Sequence, residues 1–279
     1  MGGMVLAPVL SYLILNFGWR TGAVFAGLLI LIVAVPAAMP IHRSPETRGL
    51  RPDGGPPKEN LTEQTSPVTP AAADVDFTAR QALRTTNYWL LSLSITLRLL
   101  VTVTLTAHLV PILVWKGMNE ATAAYSVSLL ALSGTIATLA MGWMGDRWNK
   151  PLLCAMGNLA APLGMLMLML SQSAIALYVF PIGIAITWAT APLNWALIGD
   201  FFGRRSYATL RGIMGVSYSI ATFFAPIYAG WVFDLTGSYT IVLIIFSIIL
   251  LIAASLFAVL RHPSPPPRES PLLPKIEIP

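Results

Sequence analysis

The chain has 279 residues, of which 56% are apolar and only 10% are charged, and its mean hydropathy is +0.71. A soluble domain carries about 25% charged residues, so this chain lacks the polar surface that water requires, and a lipid bilayer is the solvent that fits it. The single cysteine, Cys154, excludes disulfide frameworks and CxxC sites, and the three histidines lie far apart in the sequence. We therefore predict no metal site and no cofactor.

Eight stretches are long and apolar enough to cross a membrane, because a hydrocarbon core about 30 Å thick needs roughly 20 residues per helix. They cover residues 3–17, 21–40, 88–113, 121–144, 152–170, 174–198, 210–233 and 239–260. The first is short and starts at the initiating Met, which indicates that its beginning is missing. The sequence thus predicts an all-α membrane protein, a polytopic helical bundle with eight transmembrane helices.

The segments outside the spans differ sharply from them in composition. Residues 41–76 are rich in proline and charge, which predicts a disordered linker, and the sequence DFTARQALRTTNYW that follows predicts a short interfacial helix. The proline-rich tail also predicts disorder. The expected domains are two transmembrane helices over 1–40, a cytoplasmic linker over 41–87, a six-helix half over 88–260 and a cytoplasmic tail over 261–279.

The distribution of cations predicts the orientation in the membrane. The net charge of +5 first suggests nucleic acid, but the 17 Lys and Arg follow the spans. If both termini lie inside, every cation lies in an inside segment except Arg20 and Lys116, which lie outside, and Arg98, which lies within a span. Because Lys and Arg that flank spans stay on the cytoplasmic side, we predict a multi-pass protein with both termini in the cytoplasm and no nucleic-acid partner.

Arg98 is the most informative residue, because it lies near the middle of the third span. A charge there costs about 2.5 to 3.5 kcal/mol, so its side chain should face the bundle interior. Ser94 and Thr102 precede and follow it at i±4 and extend one polar stripe. Two interpretations remain open: the guanidinium binds a substrate carboxylate in fork geometry, or it is a structural arginine satisfied by carbonyls, water or an acid on a missing helix.

The spans also differ in polarity, and the difference recurs every third helix. Spans two, five and eight are nearly free of strong polar groups and are expected to face lipid. Spans three, four, six and seven carry small and polar residues and are expected to pack around a polar interior. Asn194 and Tyr218 are further candidates for substrate binding in this interior, with ordinary helix packing as the competing interpretation.

The loop after the fourth span reads GWMGDRWNKP and starts at Gly142. It resembles the G-x-x-x-D-R-x-G-R-R loop of the major facilitator superfamily, with Asn149 and Pro151 as departures from that pattern. An Asp and cations at facing helix ends can form a charge lock that breaks as a bundle rocks, whereas charges that only set the topology are the simpler explanation. The predicted gating residues are Gly142, Asp146, Arg147 and Lys150, together with Asp200 and Arg204 from the stretch GDFFGRRSYATLRGIMG.

That stretch, SPETRGLRPDG, APIYAGWVFDLTGSY and GGMVLAPVLSY resemble the bacterial monocarboxylate-transporter-like and oxalate/formate-antiporter-like members of the same superfamily. The resemblance makes the eight spans helices five to twelve, with the first four helices missing. It implies secondary active transport of a small organic solute, such as a mono- or dicarboxylate anion, by alternating access in the bacterial inner membrane. A proton or a counter-anion would be the coupled partner. Related carriers commonly have an arginine on helix eight, a position without charge here, and Arg98 on helix seven is the candidate replacement.

Other functions are weighed against the same residues. A truncated, non-transporting membrane protein or partner subunit is the alternative, with the missing helices or another chain completing the bundle. An enzyme is not expected, because HExxH, GxSxG and paired intramembrane aspartates are all absent from the sequence. The sequence also has no GxxxxGK[ST] loop, which argues against an ATP-driven pump.

Overall fold

The computed structural model describes residues 9–10, 13–14, 16–40, 77–171 and 173–263, apart from the side chain of residue 121. The chain divides into two units, Met1–Ala71 and Ala72–Pro279. The first predicted span, the linker and the tail lie largely outside the described residues.

The described part of the chain is helical. The first unit contains α1 (Trp19–Ala38), and the second contains α2 (Ala79–Leu83), α3 (Thr86–Ala107), α4 (Leu109–Trp115), α5 (Glu120–Gly145), α6 (Lys150–Leu170), α7 (Ala174–Trp188), α8 (Ala191–Phe202), α9 (Tyr207–Thr236) and α10 (Thr240–Val259). Seven described stretches are long and apolar enough to cross a membrane: α1, α3, α5, α6, α7 with α8, α9 and α10. They correspond to predicted spans two to eight.

Two predicted spans are broken rather than continuous. The span over 88–113 is interrupted at His108, between α3 and α4, and the span over 174–198 is interrupted at residues 189–190, between α7 and α8. Each break lies two or three residues before a proline, Pro111 or Pro192, which has no backbone N–H. The carbonyl groups that would accept from these prolines belong to Ala107 and Trp188, the last residues of α3 and α7. Missing backbone donors thus coincide with both breaks.

Close helix packing on one side of the second unit depends on glycine. α6 packs against both α7 and α10, and α3 packs against α9 and α10. A Cβ on Gly183 of α7 would lie 2.6 Å from the Ala160 carbonyl oxygen, and one on Gly164 of α6 would lie 3.1 Å from Phe180 Cα. Nearby, the Thr187 hydroxyl donates to the Gly157 carbonyl at 2.9 Å and accepts from the Ala161 amide at 3.2 Å, so it is inserted into the backbone ladder of α6.

The helices of the second unit are covered to very different extents. More than half of the apolar stretch of α6 is buried (56%), whereas the share is 17% for α9 and 0% for α5. The exposed side of α6 carries apolar residues at helical spacing, among them Leu152, Met156, Leu159 and Leu163. α9 instead mixes exposed aromatic, hydroxyl and charged residues. We call the side formed by α6, α7 and α10 the closed side, and the exposed faces of α5 and α9 the open face.

The loops that contain most of the described cations lie together at one end of the second unit, here called the basic end. The Phe77 amide donates to the Phe202 carbonyl at 3.1 Å, and the Ser206 hydroxyl donates to the Phe77 carbonyl at 2.8 Å. Phe201 contacts the ring of His262, beyond the end of α10. A capping box between Thr78 and Gln81 begins α2 next to this cluster.

Candidate functional site

Arg98 lies near the middle of α3 and is completely buried, with 0% of the residue exposed. Ser94 and Thr102, one turn before and after it, are also fully buried. Their hydroxyls donate to backbone carbonyls of α3, that of Leu90 at 2.7 Å and that of Arg98 at 2.9 Å. The polar stripe therefore lies inside the helix bundle, but Ser94 and Thr102 are satisfied by their own helix.

The partner of Arg98 is Asn194, which is equally buried in the first turn of α8. With the Asn194 amide oriented to satisfy both groups, its Oδ1 accepts from Arg98 Nε at 2.9 Å and from Nη2 at 3.2 Å. Arg98 Nη1 is buried and has no partner. Within the described residues the salt bridge is Lys150–Asp200, so no described carboxylate neutralises Arg98. The result is a buried cation held by a neutral amide, with one nitrogen still unsatisfied.

The broken sixth span adds a second positive feature beside Arg98. Asn194 belongs to the first turn of α8, a helix of 12 residues, and helix N-termini carry partial positive charge on their free backbone amides. The N-cap residue Thr190 makes no side-chain cap, because its hydroxyl donates to the Thr187 carbonyl at 2.8 Å. An anion at this point would interact favourably with both the guanidinium and the helix end.

Tyr218 does not join Arg98 but belongs to a second cluster on the open face, which we call the Arg211 cluster. The Arg211 guanidinium carbon lies 4.5 Å from the centroid of the Trp195 ring, and the Trp195 and Tyr218 rings are 6.1 Å apart between centroids. Arg211 is exposed, and both rings are half-buried. The structure thus brings together a cation, an indole and a phenol from α8 and α9.

The predicted gating residues lie at the basic end, but they are not all in one network. Lys150 Nζ donates to Asp200 Oδ2 at 2.6 Å, which joins the start of α6 to the end of α8. Arg147 turns back on its own loop, since its Nη1 donates to the Trp143 carbonyl at 3.2 Å and its guanidinium lies 4.3 Å from the Trp143 ring centroid. The ion pair at the basic end is therefore formed by Lys150 with Asp200, and Arg147 is not part of it.

The remaining predicted gating residues have looser surroundings. No cation lies within salt-bridge distance of Asp146 among the described residues. A Cβ added to Gly142 would meet no atom within 4 Å, and Arg204 is exposed in the turn before α9. A cleft of about 570 Å³ separates the 145–151 loop from the end of α8 and from Leu260, Arg261 and His262. This cleft lies beside the Lys150–Asp200 pair.

The sequence pattern did not identify Arg211 as part of a site, nor Asn158 as a buried polar residue. Arg211 was counted with the cations that set the topology, although its i+7 spacing to Tyr218 places both on one face of α9. Asn158 on α6 is fully buried with its Oδ1 unsatisfied, while its Nδ2 donates to the Cys154 carbonyl at 2.7 Å. A lone asparagine in an apolar span gives no sequence signal that separates it from ordinary packing.

Comparison with known proteins supplies the family. The model of the Major Facilitator Superfamily matches this chain over residues 1–216 and 117–276. Monocarboxylate transporter 12 of Mus musculus is 25% identical over 266 residues, which cover 86% of this chain and 53% of that protein. Monocarboxylate transporter 13 of Rattus norvegicus is 25% identical over 275 residues, covering 94% of this chain and 57% of that protein.

A third relative has a different name. Membrane sensor protein UhpC of Salmonella typhimurium is 27% identical over 151 residues, which cover 53% of this chain and 34% of that protein. The chain spans about half the length of the monocarboxylate transporters it matches. The predicted all-α membrane bundle and the predicted resemblance are both confirmed. The chain belongs to the Major Facilitator Superfamily, and it is a multi-pass membrane protein of a transporter family rather than an enzyme.

Proposed function

We propose that this chain is part of a secondary active transporter that moves a small organic anion, such as a mono- or dicarboxylate, by alternating access. The observation that carries the proposal is Arg98, a buried cation near the middle of the bundle with a neutral partner and an unsatisfied Nη1. The names of two relatives, both monocarboxylate transporters, point to the same class of solute.

The energetics of Arg98 favour an anion-binding role over a purely structural one. Taking a guanidinium out of water is costly, and its attraction to a neutral amide offsets less of that cost than an ion pair would. A packing role could be filled by an apolar side chain of similar volume. The arginine is therefore better explained by a ligand that supplies the missing negative charge.

Arg98 is enclosed in the conformation seen here, so the anion must reach it through a movement of helices. The helix breaks at 108 and 189–190 lie in the two spans that carry Arg98 and Asn194. The helices on either side of a break can tilt relative to each other, since the backbone ladder is interrupted there. Access by rocking or tilting is the behaviour required of an alternating-access carrier.

The test separates charge from packing at the same position. The native carrier, purified from its own membrane, is placed in proteoliposomes and assayed for uptake of radiolabelled acetate, lactate and oxalate. The variant Arg98→Met with Asn194→Leu removes the charge and its partner while keeping the volume. Arg98→Lys keeps the positive charge but lacks the forked N–H donors of the guanidinium. Arg84→Gln, which removes an exposed cation at the basic end, is the matched control.

We expect the double variant to lose uptake while it stays folded, because removing both polar partners is close to neutral for stability. Arg98→Lys should lose most uptake, and Arg84→Gln should retain it. Unchanged uptake in the double variant at equal protein level would contradict the proposal. Loss of uptake accompanied by a large fall in the melting temperature would instead assign Arg98 to the structure.

The six gating residues, Gly142, Asp146, Arg147, Lys150, Asp200 and Arg204, are proposed to control the basic end during this cycle. Support comes from the exposed ion pair between α6 and α8 and from the cleft beside it. An ion pair that bridges two helix ends adds stability to one arrangement of these ends and not to another. Its rupture would therefore accompany opening at this end.

We propose that the protein lies in the bacterial inner membrane with both termini in the cytoplasm. The excess of cations in the loops at the basic end supports this orientation. A Gly54→Cys substitution in the predicted linker, made in a Cys154→Ala background, tests it directly. A membrane-impermeant maleimide should label it only in inverted vesicles, and labelling of intact spheroplasts would reverse the orientation.

The partners of this cycle are also proposals: the lipid bilayer, a proton or counter-anion, and further helices from the native protein or from another chain. The intact mass of the protein extracted from its own membrane, compared with 30.1 kDa, tests where those helices come from. A larger mass places them in the same chain. A mass equal to that of this sequence assigns them to a second chain, which crosslinking would then capture.

A non-transporting membrane protein that binds the solute is the second candidate. It is favoured by the relative named as a membrane sensor protein and by the complete enclosure of Arg98. Direct binding and uptake separate the two candidates. Carboxylate binding that depends on Arg98, without uptake under any gradient of protons or counter-anion, would favour this second function.

A further inference from the structure

We infer that the Arg211 cluster is a second anion site, which binds a carboxylate whose apolar body is flat enough to stack on Trp195. The inference rests on the proposed transport of a small organic anion and adds the shape of its preferred solute. It concerns the open face of the six-helix half, whereas Arg98 is buried inside that half.

The position of each side chain supports a binding surface rather than a packing contact. Arg211 is the fifth residue of α9, about 6 Å along the axis from the helix start, and Tyr218 lies about 10 Å further on. The Tyr218 hydroxyl lies 3.6 Å from the point where a Cβ on Gly215 would be, so its ring folds back along α9 toward Arg211. Gly215 leaves the surface between them free of any side chain.

The polar groups of the cluster are available for a ligand. In the described part of the chain no carboxylate lies within salt-bridge distance of Arg211, and the Tyr218 hydroxyl makes no hydrogen bond there. The contact between Arg211 and Trp195 is a cation–π contact, which holds the guanidinium plane without using its N–H donors. Within the described residues, the N–H groups of the exposed Arg211 guanidinium and the Tyr218 hydroxyl therefore have no carboxylate partner.

Electrostatics and shape together define the ligand. The turn before α9 adds the exposed cation Arg204, so the local field attracts anions. A guanidinium binds a carboxylate through two parallel hydrogen bonds, and an indole offers a flat apolar surface. An aromatic monocarboxylate satisfies both requirements if the exposed guanidinium moves off the indole face to bind the carboxylate, whereas acetate satisfies only the first.

The cluster is connected to the buried arginine through α8. Asn194, which binds Arg98, and Trp195, which supports Arg211, are consecutive residues and point about 100° apart around this helix. A ligand on Trp195 and an anion at Arg98 thus act on the same helical turn. This arrangement is suited to an anion that is first held on the open face and then passed toward the interior.

The test measures binding and does not depend on transport. Benzoate, cyclohexanecarboxylate and acetate are titrated by calorimetry into the native carrier in nanodiscs of neutral lipid. The variants are Arg211→Gln, Arg211→Lys, Trp195→Leu and Trp195→Phe, with Arg84→Gln and Trp231→Leu as exposed controls. Because the Arg211 side chain is exposed, these arginine variants are expected to fold normally, which thermal unfolding checks.

We expect Arg211→Gln to weaken benzoate binding about tenfold or more, the loss typical of hydrogen bonds to a charged group, and Arg211→Lys to weaken it less. Trp195→Leu should weaken benzoate by about three- to tenfold and leave acetate unchanged, with Trp195→Phe in between. Benzoate should bind more tightly than cyclohexanecarboxylate to the native protein. Equal losses for benzoate and acetate in Trp195→Leu, or no loss in Arg211→Gln, would overturn the inference.

Two further outcomes distinguish this inference from the proposed transport function. Benzoate binding that depends on Arg211 in a protein without uptake leaves the inference standing and removes the proposed transport. Intact uptake together with benzoate binding that does not depend on Arg211 would leave the proposed transport standing and overturn the inference. If nanodiscs containing phosphatidylglycerol abolish benzoate binding, the guanidinium binds lipid phosphate and the inference is wrong.

Discussion

Two arginines of the second unit, Arg98 and Arg211, differ in their surroundings more than in their chemistry. Arg98 is completely buried and its fork is occupied by the Asn194 amide. Arg211 is exposed and rests on the face of Trp195 with its donors free of described carboxylates. The comparison teaches that burial, and not residue type, decides whether an arginine of this unit is held rigidly or is ready to exchange ligands.

The same contrast holds for the helices that carry them. The closed side is packed through glycines, an inserted threonine hydroxyl and buried apolar side chains, so small changes there should be costly. The open face carries exposed Phe and Ser side chains on α9 with few packing partners. Substitutions on the open face should therefore change function while they leave stability nearly unchanged. The following predictions test that division, from the largest effect to the smallest.

The neighbours Asn194 and Trp195 give the sharpest test. Asn194→Leu removes the hydrogen-bond partner of a buried charge and should lower the free energy of unfolding by about 3 kcal/mol. Trp195→Leu, on the open side of the same turn, should cost less than about 1 kcal/mol, because its ring is half-buried. Thermal unfolding in detergent measures both. Equal losses in the two variants would break the distinction between the two arginine sites.

Gly183 and Gly212 extend the test to backbone contacts. Gly183→Ala forces a methyl group against the Ala160 carbonyl and should cost about 1 to 3 kcal/mol. Gly212→Ala meets no atom within 4 Å and should cost nothing, since alanine favours helix by up to about 1 kcal/mol. Chemical denaturation of the two variants gives the comparison. If Gly183→Ala is neutral, α6 and α7 are free to separate and the closed side is not tightly packed.

The hydroxyl groups of Thr187, on the closed side, and Thr222, on the open face, allow a further comparison. Thr187→Val removes a hydroxyl that joins α7 to two backbone groups of α6, at a cost of about 1 to 2 kcal/mol. Thr222→Val removes a bond to the Tyr218 carbonyl of the same helix and should cost less than about 0.5 kcal/mol. Amide hydrogen exchange around Ala161 should rise only in the first variant. Unaltered exchange there would mean that the α6 ladder closes without the threonine.

The smallest effect on stability is expected at the Lys150–Asp200 pair. Both side chains are partly exposed, at 28% and 42%, so the pair should contribute less than about 1 kcal/mol. The pair should instead affect the equilibrium between closed and open arrangements of the helix ends at the basic end. A cysteine at Leu197, which lines the cleft, should react faster with maleimide in Asp200→Asn than in the parent, both lacking Cys154. The exchange Lys150→Asp with Asp200→Lys should restore the parent rate, and failure to restore it would exclude a specific pair.

Much of the architecture could be predicted from the sequence, because lipid leaves the backbone few choices. Apolar stretches of about 20 residues must become helices, and their ends were located within a few residues. The burial of Arg98 followed from the same reasoning. The positions of the helix breaks did not, since Pro111 and Pro192 lie next to breaks whereas Pro162, Pro181 and Pro226 lie inside continuous helices. One residue type thus gives two outcomes, which depend on the neighbouring helices.

The sequence alone determined the solvent of this protein, the positions of seven of its membrane spans and the inward position of its one central charge, because these follow from transfer free energies of single residues. The tertiary structure decided which groups meet. Asn194 reaches Arg98, Asp200 reaches Lys150, and Trp195 lies under Arg211. Each of these pairs joins two helices, and the energy of such a contact depends on packing that no local pattern encodes. The sequence therefore indicates that Arg211 is one of the charges near a loop, and only the fold shows its contact with Trp195, on which the inferred binding surface depends.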